Sequence, residues 1–162
     1  MARLAPDRII EGLAGAGITV VSQPSFMRIP AVEFLPPLHG LRVLAHRSMR
    51  ESGVTVAGSS DAPVGEAAPL LGMHDAVSRT RASGRTLDEE ERIGALDALA
   101  MYTRDAAAAC GWSNVAGTLK AGHSADIVIL SGDPASAPLA ELQVVETVLA
   151  GRTVYRRPAP ST

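Results

Sequence analysis

The feature that most constrains this chain is the stretch Val54-Thr-Val-Ala-Gly-Ser-Ser-Asp61-Ala-Pro63. β-Branched residues open it, small residues follow and a proline closes it, which predicts a short buried strand that turns sharply and delivers one carboxylate at its end. Pro63 has no backbone N–H, so the strand cannot run on regularly past Asp61. In parallel β/α architectures reactive groups gather at the C-terminal ends of strands, and Asp61 is placed there. An aspartate in this position serves equally as the cap of the following turn or helix, and spacing alone leaves both readings open.

The residues before Val54 repeat one unit. Pro6-Asp7-Arg-Ile-Ile-Glu-Gly-Leu-Ala predicts a short helix, Gly15-Ala-Gly17 ends it, and Ile18-Thr-Val-Val-Ser-Gln23-Pro24 predicts a strand stopped by proline. The glycines at 12, 15 and 17 have a phosphate-loop flavour, but they end a helix and precede a strand, the reverse of the dinucleotide-binding order. Ser25 to Pro37, punctuated by Pro30, Pro36 and Pro37, predicts a pocket-shaping loop with Gln23 and Phe26 at the pocket mouth. Gly40 to Ser52 then predicts a weakly amphipathic helix that Gly53 terminates.

Downstream, Ala67 to Arg81 predicts a helix with Leu70, Met73, Ala76 and Val77 on one side. Thr86 and Glu89 are spaced as a capping box for a long helix. Its stripe of Ile93, Leu96, Ala100, Thr103, Ala107 and Cys110 faces the core, which makes Cys110 a buried, inert thiol. Asp126 to Leu130 predicts an apolar strand, and Leu142 to Leu149 with Thr153 to Tyr155 predicts a hairpin around Ala150-Gly151.

Three of these segments, in this order, carry a resemblance: Ser-Asp61-Ala-Pro after a strand, Tyr102-Thr-Arg-Asp-Ala-Ala107 on a helix, and Gly117-Thr-Leu-Lys-Ala-Gly122-His-Ser-Ala-Asp126-Ile-Val-Ile-Leu130. Together they resemble the C-terminal part of the amidohydrolase superfamily, in the branch called amidohydrolase family 3, over about Asp7 to Tyr155. The resemblance implies an α/β chain, the C-terminal fragment of a (β/α)8 metal-dependent hydrolase barrel followed by part of a small β-sandwich. Residues 1–115 would be the end of the barrel, its last two β/α units plus following helices. Residues 116–157 would be the sandwich segment, and 158–162 a disordered tail.

The same resemblance implies hydrolysis of carbon–nitrogen bonds other than peptide bonds, in a small amide-type substrate, by a water that a divalent metal activates, zinc above all. Asp61 takes the role of the aspartate after the eighth strand, which touches the metal and accepts the water's proton. The family's His-x-His pair, bridging lysine and mid-barrel histidines have no counterpart here. His39, His46, His74 and His123 lack metal-binding spacing and read as surface or satisfied side chains, and the single lysine, Lys120, lies in the glycine motif. The expectation is therefore a chain that binds no metal tightly and is inactive alone. It would need a missing N-terminal barrel half or self-association, whether as a truncated product, a misassigned start or half of a split enzyme. The alternatives are a non-catalytic remnant acting as an interaction or oligomerisation module, and a small α/β binding domain in which Asp61 is a cap.

Composition bounds the rest. A chain of 162 residues that is 46% hydrophobic with net charge −2 suits one globular core and lacks the positive excess of a nucleic-acid binder. No apolar run reaches the roughly 18 residues that span a bilayer, so the expectation is no membrane and a cytoplasmic protein. One cysteine excludes an intrachain disulfide and a cysteine-based zinc cluster. Gly122-His-Ser124-Ala-Asp126 lacks the closing glycine of a nucleophile elbow and precedes its strand.

Overall fold

The computed structural model describes residues 4–36 and 41–159, an α/β chain with three small sheets. Helix α1 (Asp7–Gly15) leads into strand β2 (Val20–Ser22), and helix α3 (His46–Glu51) leads into strand β4 (Val56–Gly58). The two strands pair in parallel, Val20 opposite Val56 and Ser22 opposite Gly58, with α3 in the crossover between them. Val20, Val54 and Val56 meet Ile10 of α1 and Met49 of α3 in the main core. Met73 and Ala76 of helix α4 (Pro69–Ser78) join them, with Ala98 and Met101 of helix α5 (Ala95–Tyr102). On the other face Val21 is 46% exposed. Among the described residues each of the two parallel strands has a single partner.

The predicted loop from Ser25 to Pro37 contains two short helical pieces. A 3-10 turn spans Pro24–Arg28 and helix α2 spans Pro30–Glu33, each with proline in its first turn, where a missing N–H costs nothing. Pro37 and Gly40 lie outside the described residues, as does His39.

The helix expected from Gly40 to Ser52 is much shorter. Arg42–Val43 forms strand β3, antiparallel to β1 (Leu4–Ala5), and Leu44 takes φ 50°, which breaks any helix there. Its cap comes from far along the chain. Ala45 at the N-cap offers no side-chain acceptor, and the buried Glu91 carboxylate accepts the Ser48 N–H at 2.9 Å and the Ser48 hydroxyl. The Arg42 guanidinium, 3.0 Å away, balances Glu91 and also pairs with Asp7 of α1.

The same loop overturns the expected capping box. Thr86 forms a β-bridge with Thr80, Asp88 is left-handed, Glu89–Glu91 is a 3-10 turn, and α5 starts only after Gly94. The long helix also breaks at Thr103 (φ −126°, ψ −95°), giving α5 and helix α6 (Arg104–Ala109). The expected stripe does not face the core as a whole: Ile93 and Ala107 are buried, but Leu96 before the break is 62% exposed, and Cys110 is exposed and not buried.

A buried arginine sews these pieces together. Arg79, left-handed at the C-cap of α4, is fully buried and donates to three backbone carbonyls: Leu87 at 2.9 Å, Leu44 at 2.9 Å and Val43 at 2.5 Å.

The strand and hairpin expected between Asp126 and Tyr155 are present. Strands β5 (Ile127–Leu130), β6 (Val144–Leu149) and β7 (Arg152–Arg156) form an antiparallel sheet in that order. Ala150 and Gly151 turn between β6 and β7 with φ 48° and 78°, the positive values a type I′ hairpin needs. Asp126 Oδ1 accepts the Ala150 N–H at 2.7 Å, and the Ala125 carbonyl accepts that of Gly151 at 3.0 Å. The motif aspartate thus ties the start of β5 to the hairpin tip. Val128, Ile129, Val154 and Tyr155 remain exposed. Of the expected tail, residues 160–162 lie outside the described residues. Among the described residues no helix is long and apolar enough to cross a membrane.

Replacing Arg79 by Met keeps much of the apolar volume but strands three buried carbonyls, each costing on the order of 1–3 kcal/mol. Urea unfolding should show a loss of roughly 3 kcal/mol or more, and a loss below about 1 kcal/mol would mean that water replaces the guanidinium.

Candidate functional site

The ends of β2 and β4 build the site. Beyond the last strand pair the ladder continues for one rung, with the Ser59 N–H donating to the Ser22 carbonyl at 2.8 Å. The chain then leaves the sheet in a tight turn. Ser59 Oγ accepts the Asp61 N–H at 3.4 Å, Ser60 Oγ accepts that of Ala62 at 3.3 Å, and the Asp61 carbonyl accepts that of Val64 at 2.9 Å. Asp61 sits at φ 54°, a left-handed conformation that aspartate tolerates better than most residues. Its side chain is exposed, and among the described residues no hydrogen bond or ion pair engages the carboxylate. The turn is therefore held by serine hydroxyls and backbone, and the Asp61 carboxylate is available to a ligand.

From the β2 side, Ser22, Gln23, Ser25 and Phe26 are all buried. Gln23 Oε1 and Ser25 Oγ have no partner among the described residues. The two strand-end loops touch: a Cβ added to Gly65 would lie 2.7 Å from Ser25 Oγ and 3.4 Å from the Phe26 ring. The structure thus brings Ser25 and Phe26 against the loop that carries Asp61, as inward-facing supports. Arg28 anchors its loop to α4, its Nε donating to both oxygens of the buried Asp75 carboxylate at 2.8 and 2.9 Å. Burial raises the Asp75 pKa and the Arg28 guanidinium opposes that rise.

Of the four histidines, His46 is the informative one. Its Nε2 lies 2.8 Å from Ser22 Oγ, its ring is fully buried, and Nδ1 has no partner among the described residues. Burial, reinforced by the Arg79 and Arg50 charges, pushes its pKa down to about 3, so the imidazole is neutral at physiological pH. His123 Nδ1 lies 3.1 Å from Thr118 Oγ1 in the glycine motif.

Sequence reasoning noticed Tyr102 only as part of a motif, yet it contacts the site. Its ring fills the space beside two glycines: a Cβ on Gly58, the last residue of β4, would fall 2.6 Å from the ring, and one on Gly72 of α4 would overlap the hydroxyl. The hydroxyl donates to the Ser59 carbonyl at 3.5 Å. Nothing in the sequence pairs Tyr102 with the glycines at 58 and 72; the contact is visible only in the fold. Gly117, at φ 87°, packs in the same way on α6, where a Cβ would come 2.6 Å from that of Ala107.

Among the described residues no three His, Cys, Asp or Glu side chains cluster to hold a metal ion. The donor set fits a divalent cation only in part, because Asp61 offers one free carboxylate where a catalytic zinc takes about three protein ligands.

A sequence model described as the amidohydrolase family matches residues 7–155. The chain belongs to that family. It is 38% identical over 120 residues to the N-substituted formamide deformylase of Arthrobacter pascens, a match covering 72% of this chain and 22% of the relative. It is 30% identical over 165 residues to YtcJ of Bacillus subtilis, covering 96% of this chain and 31% of the relative. The chain thus spans less than a third of the length of these curated relatives. An uncharacterized metal-dependent hydrolase from Pyrococcus horikoshii shares its fold with TM-score 0.75 and 23% identity, over 88% of this chain and 30% of that one. The atrazine chlorohydrolase TrzN from Arthrobacter aurescens, solved with zinc, superposes with TM-score 0.68 and 20% identity over all of this chain and 37% of that one.

Neutral His46 sets a pH dependence. The unfolded chain takes up the histidine proton near pH 6.5 and the folded chain only near 3, so the unfolded state binds more protons between these values. Stability should be unaffected by His46 above about pH 6.5 and fall through that window on acidification, by an amount on the order of a few kcal/mol. Urea titrations at pH 7 and 4 should show a smaller difference in a His46→Gln variant than in the parent, and equal differences would assign the acid sensitivity elsewhere.

Proposed function

We propose that this chain supplies the closing β/α units of a metal-dependent hydrolase of carbon–nitrogen bonds, and that Asp61 is its catalytic carboxylate. The observation that carries the reading is the free, exposed Asp61 carboxylate at the end of one of two parallel strands. In this reading residues 1–115 are the end of a (β/α)8 barrel, 116–157 a β-sandwich segment and 158–162 a tail. The single pairing of β2 and β4 among the described residues and the half-exposed Val21 side chain support a partner that completes the barrel, either the remaining two thirds that the relatives carry or a second copy.

Asp61 would be one ligand of the ion, and the other ligands would come from outside the described residues. A bound divalent metal, zinc in the first instance, supplies a lowered water pKa and polarises the carbonyl. Asp61 accepts the proton of the attacking water and returns it to the departing nitrogen, so one carboxylate serves as base and then as acid. The serine-held turn keeps that carboxylate at the strand end, and Phe26, buried against the Gly65 backbone of the same loop, supports the site from beneath, with Gln23 beside it in sequence at the end of β2. The similarity to a formamide deformylase makes an N-substituted formamide the first substrate to try, with water converting it to formate and an amine.

The test supplies the rest of the barrel by co-expressing or fusing the upstream segment of a related amidohydrolase, then measures formate release. The assembled enzyme should be active with added zinc, and Asp61→Asn should lower kcat on the order of 10²–10⁴-fold with the fold retained. Turnover that survives the substitution would reduce Asp61 to a turn residue. Failure of the parent with any upstream segment would favour a non-catalytic interaction module.

The open strand edges make a second outcome measurable without activity. At micromolar concentration the 16.8 kDa chain alone should sediment as associated species, and a sharp monomer with cooperative unfolding would show that its helices cover those edges.

A further inference from the structure

We propose that Tyr102 is the positioning residue of the site, setting the direction in which the β4 end presents Asp61; this rests on the reading of Asp61 as catalytic. Three contacts converge on the short segment between β4 and Asp61. The Ser59 N–H is held by the Ser22 carbonyl at 2.8 Å, the Ser59 carbonyl accepts from the Tyr102 hydroxyl at 3.5 Å, and Ser59 Oγ faces the Asp61 N–H at 3.4 Å. Ser59 is therefore gripped on its amide, its carbonyl and its side chain. Of these grips, the one on the carbonyl comes from α5, outside the parallel strand pair.

The ring gives this contact its stiffness. Tyr102 is wedged between Gly58 and Gly72, so it cannot shift toward β4 or α4 without meeting backbone, and neither neighbour can gain a side chain without displacing it. Burial, aided by the nearby Asp75 carboxylate, raises the hydroxyl pKa, so it stays a proton donor to Ser59 throughout the working range. Asp75 is itself clasped by Arg28 from the loop after β2. Arg28, Asp75, α4, Tyr102 and Ser59 thus form a continuous packed path joining the two strand-end loops. A displacement of about 1 Å in a catalytic group costs up to 10²-fold in rate, so a contact that fixes this segment acts on turnover more than on substrate binding.

Tyr102→Phe keeps the wedge and removes the donor. In the chain alone, amide hydrogen exchange should rise on the order of tenfold at Ser59 and Val64 and stay unchanged at Val20, whose N–H donates to Thr55 at 2.9 Å in the same ladder. In the assembled enzyme kcat should fall on the order of tenfold with KM within about twofold. Gly72→Ala, which pushes the hydroxyl from the other side, should give the same local exchange signature, and it serves if the phenylalanine variant folds poorly. Unchanged exchange at Ser59 in both variants, or a rise spread equally to Val20, overturns the proposal. An inactive parent assembly would sink the hydrolase reading and leave the exchange experiment to decide Tyr102 by itself.

Discussion

The parallel pairing of β2 with β4 is the constraint on which the other arrangements depend. Two strands pointing the same way need a crossover, and here it runs through the 3-10 turn, α2 and β3 before the six-residue α3 leads into β4. The pairing puts both C-terminal strand ends side by side, so the loop of Ser25 and Phe26 meets the loop of Asp61 and Gly65. It also leaves one face to α1, α3, α4 and α5, whose apolar residues make the main core. On the opposite face Ala57 is buried while its register partner Val21 is 46% exposed, so the cover reaches β4 and leaves the β2 side open. The adjoining strand ends and the partly open β2 side follow from one geometric choice.

Polar groups organise what the small core does not. Few aromatics are present, 3% of residues, so Ala, Val, Leu, Ile and Met fill the interior. Arg79, Glu91 and the Arg28–Asp75 pair do the work of orientation, each joining segments far apart in sequence. A buried ion pair as a whole contributes little more net stability than well-packed apolar side chains of equal size, because both charges must be stripped of water, but removing one partner alone strands the other. Such groups are directional, and the loops they hold end up in one arrangement.

What was legible in the sequence was local or repetitive. The helix at Asp7, the two strands before Gln23 and Asp61, the helix from Pro69 and the hairpin at Ala150-Gly151 were visible because apolar periodicity and turn residues specify them at short range. The motif order around Asp61, Tyr102 and Gly117 pointed to the family. What failed depended on partners distant in sequence. Thr86 and Glu89 had the spacing of a cap, but the competition was settled by Glu91 bonding to Ser48, 43 residues away. The stripe through Cys110 was periodic, but the core takes a neighbouring face, burying Ala98 and Met101 while Leu96 and Cys110 stay exposed. Tyr102 was seen as a motif letter and not as a contact, since its partners Gly58 and Gly72 are identified only by the space they leave.

The remote cap on α3 has a consequence for the order in which the chain takes shape. A six-residue helix whose own N-cap is alanine cannot persist in isolation, because nucleating a turn costs more than so few bonds return. The carboxylate that completes its first turn arrives only when the segment around Glu91 has docked. The crossover of the parallel pair therefore matures after α4 and the turn beyond it are in place. Assembly runs backward along the chain at this point, and a nascent polypeptide that has emerged only as far as Gly58 has both strands but lacks what fixes the helix between them.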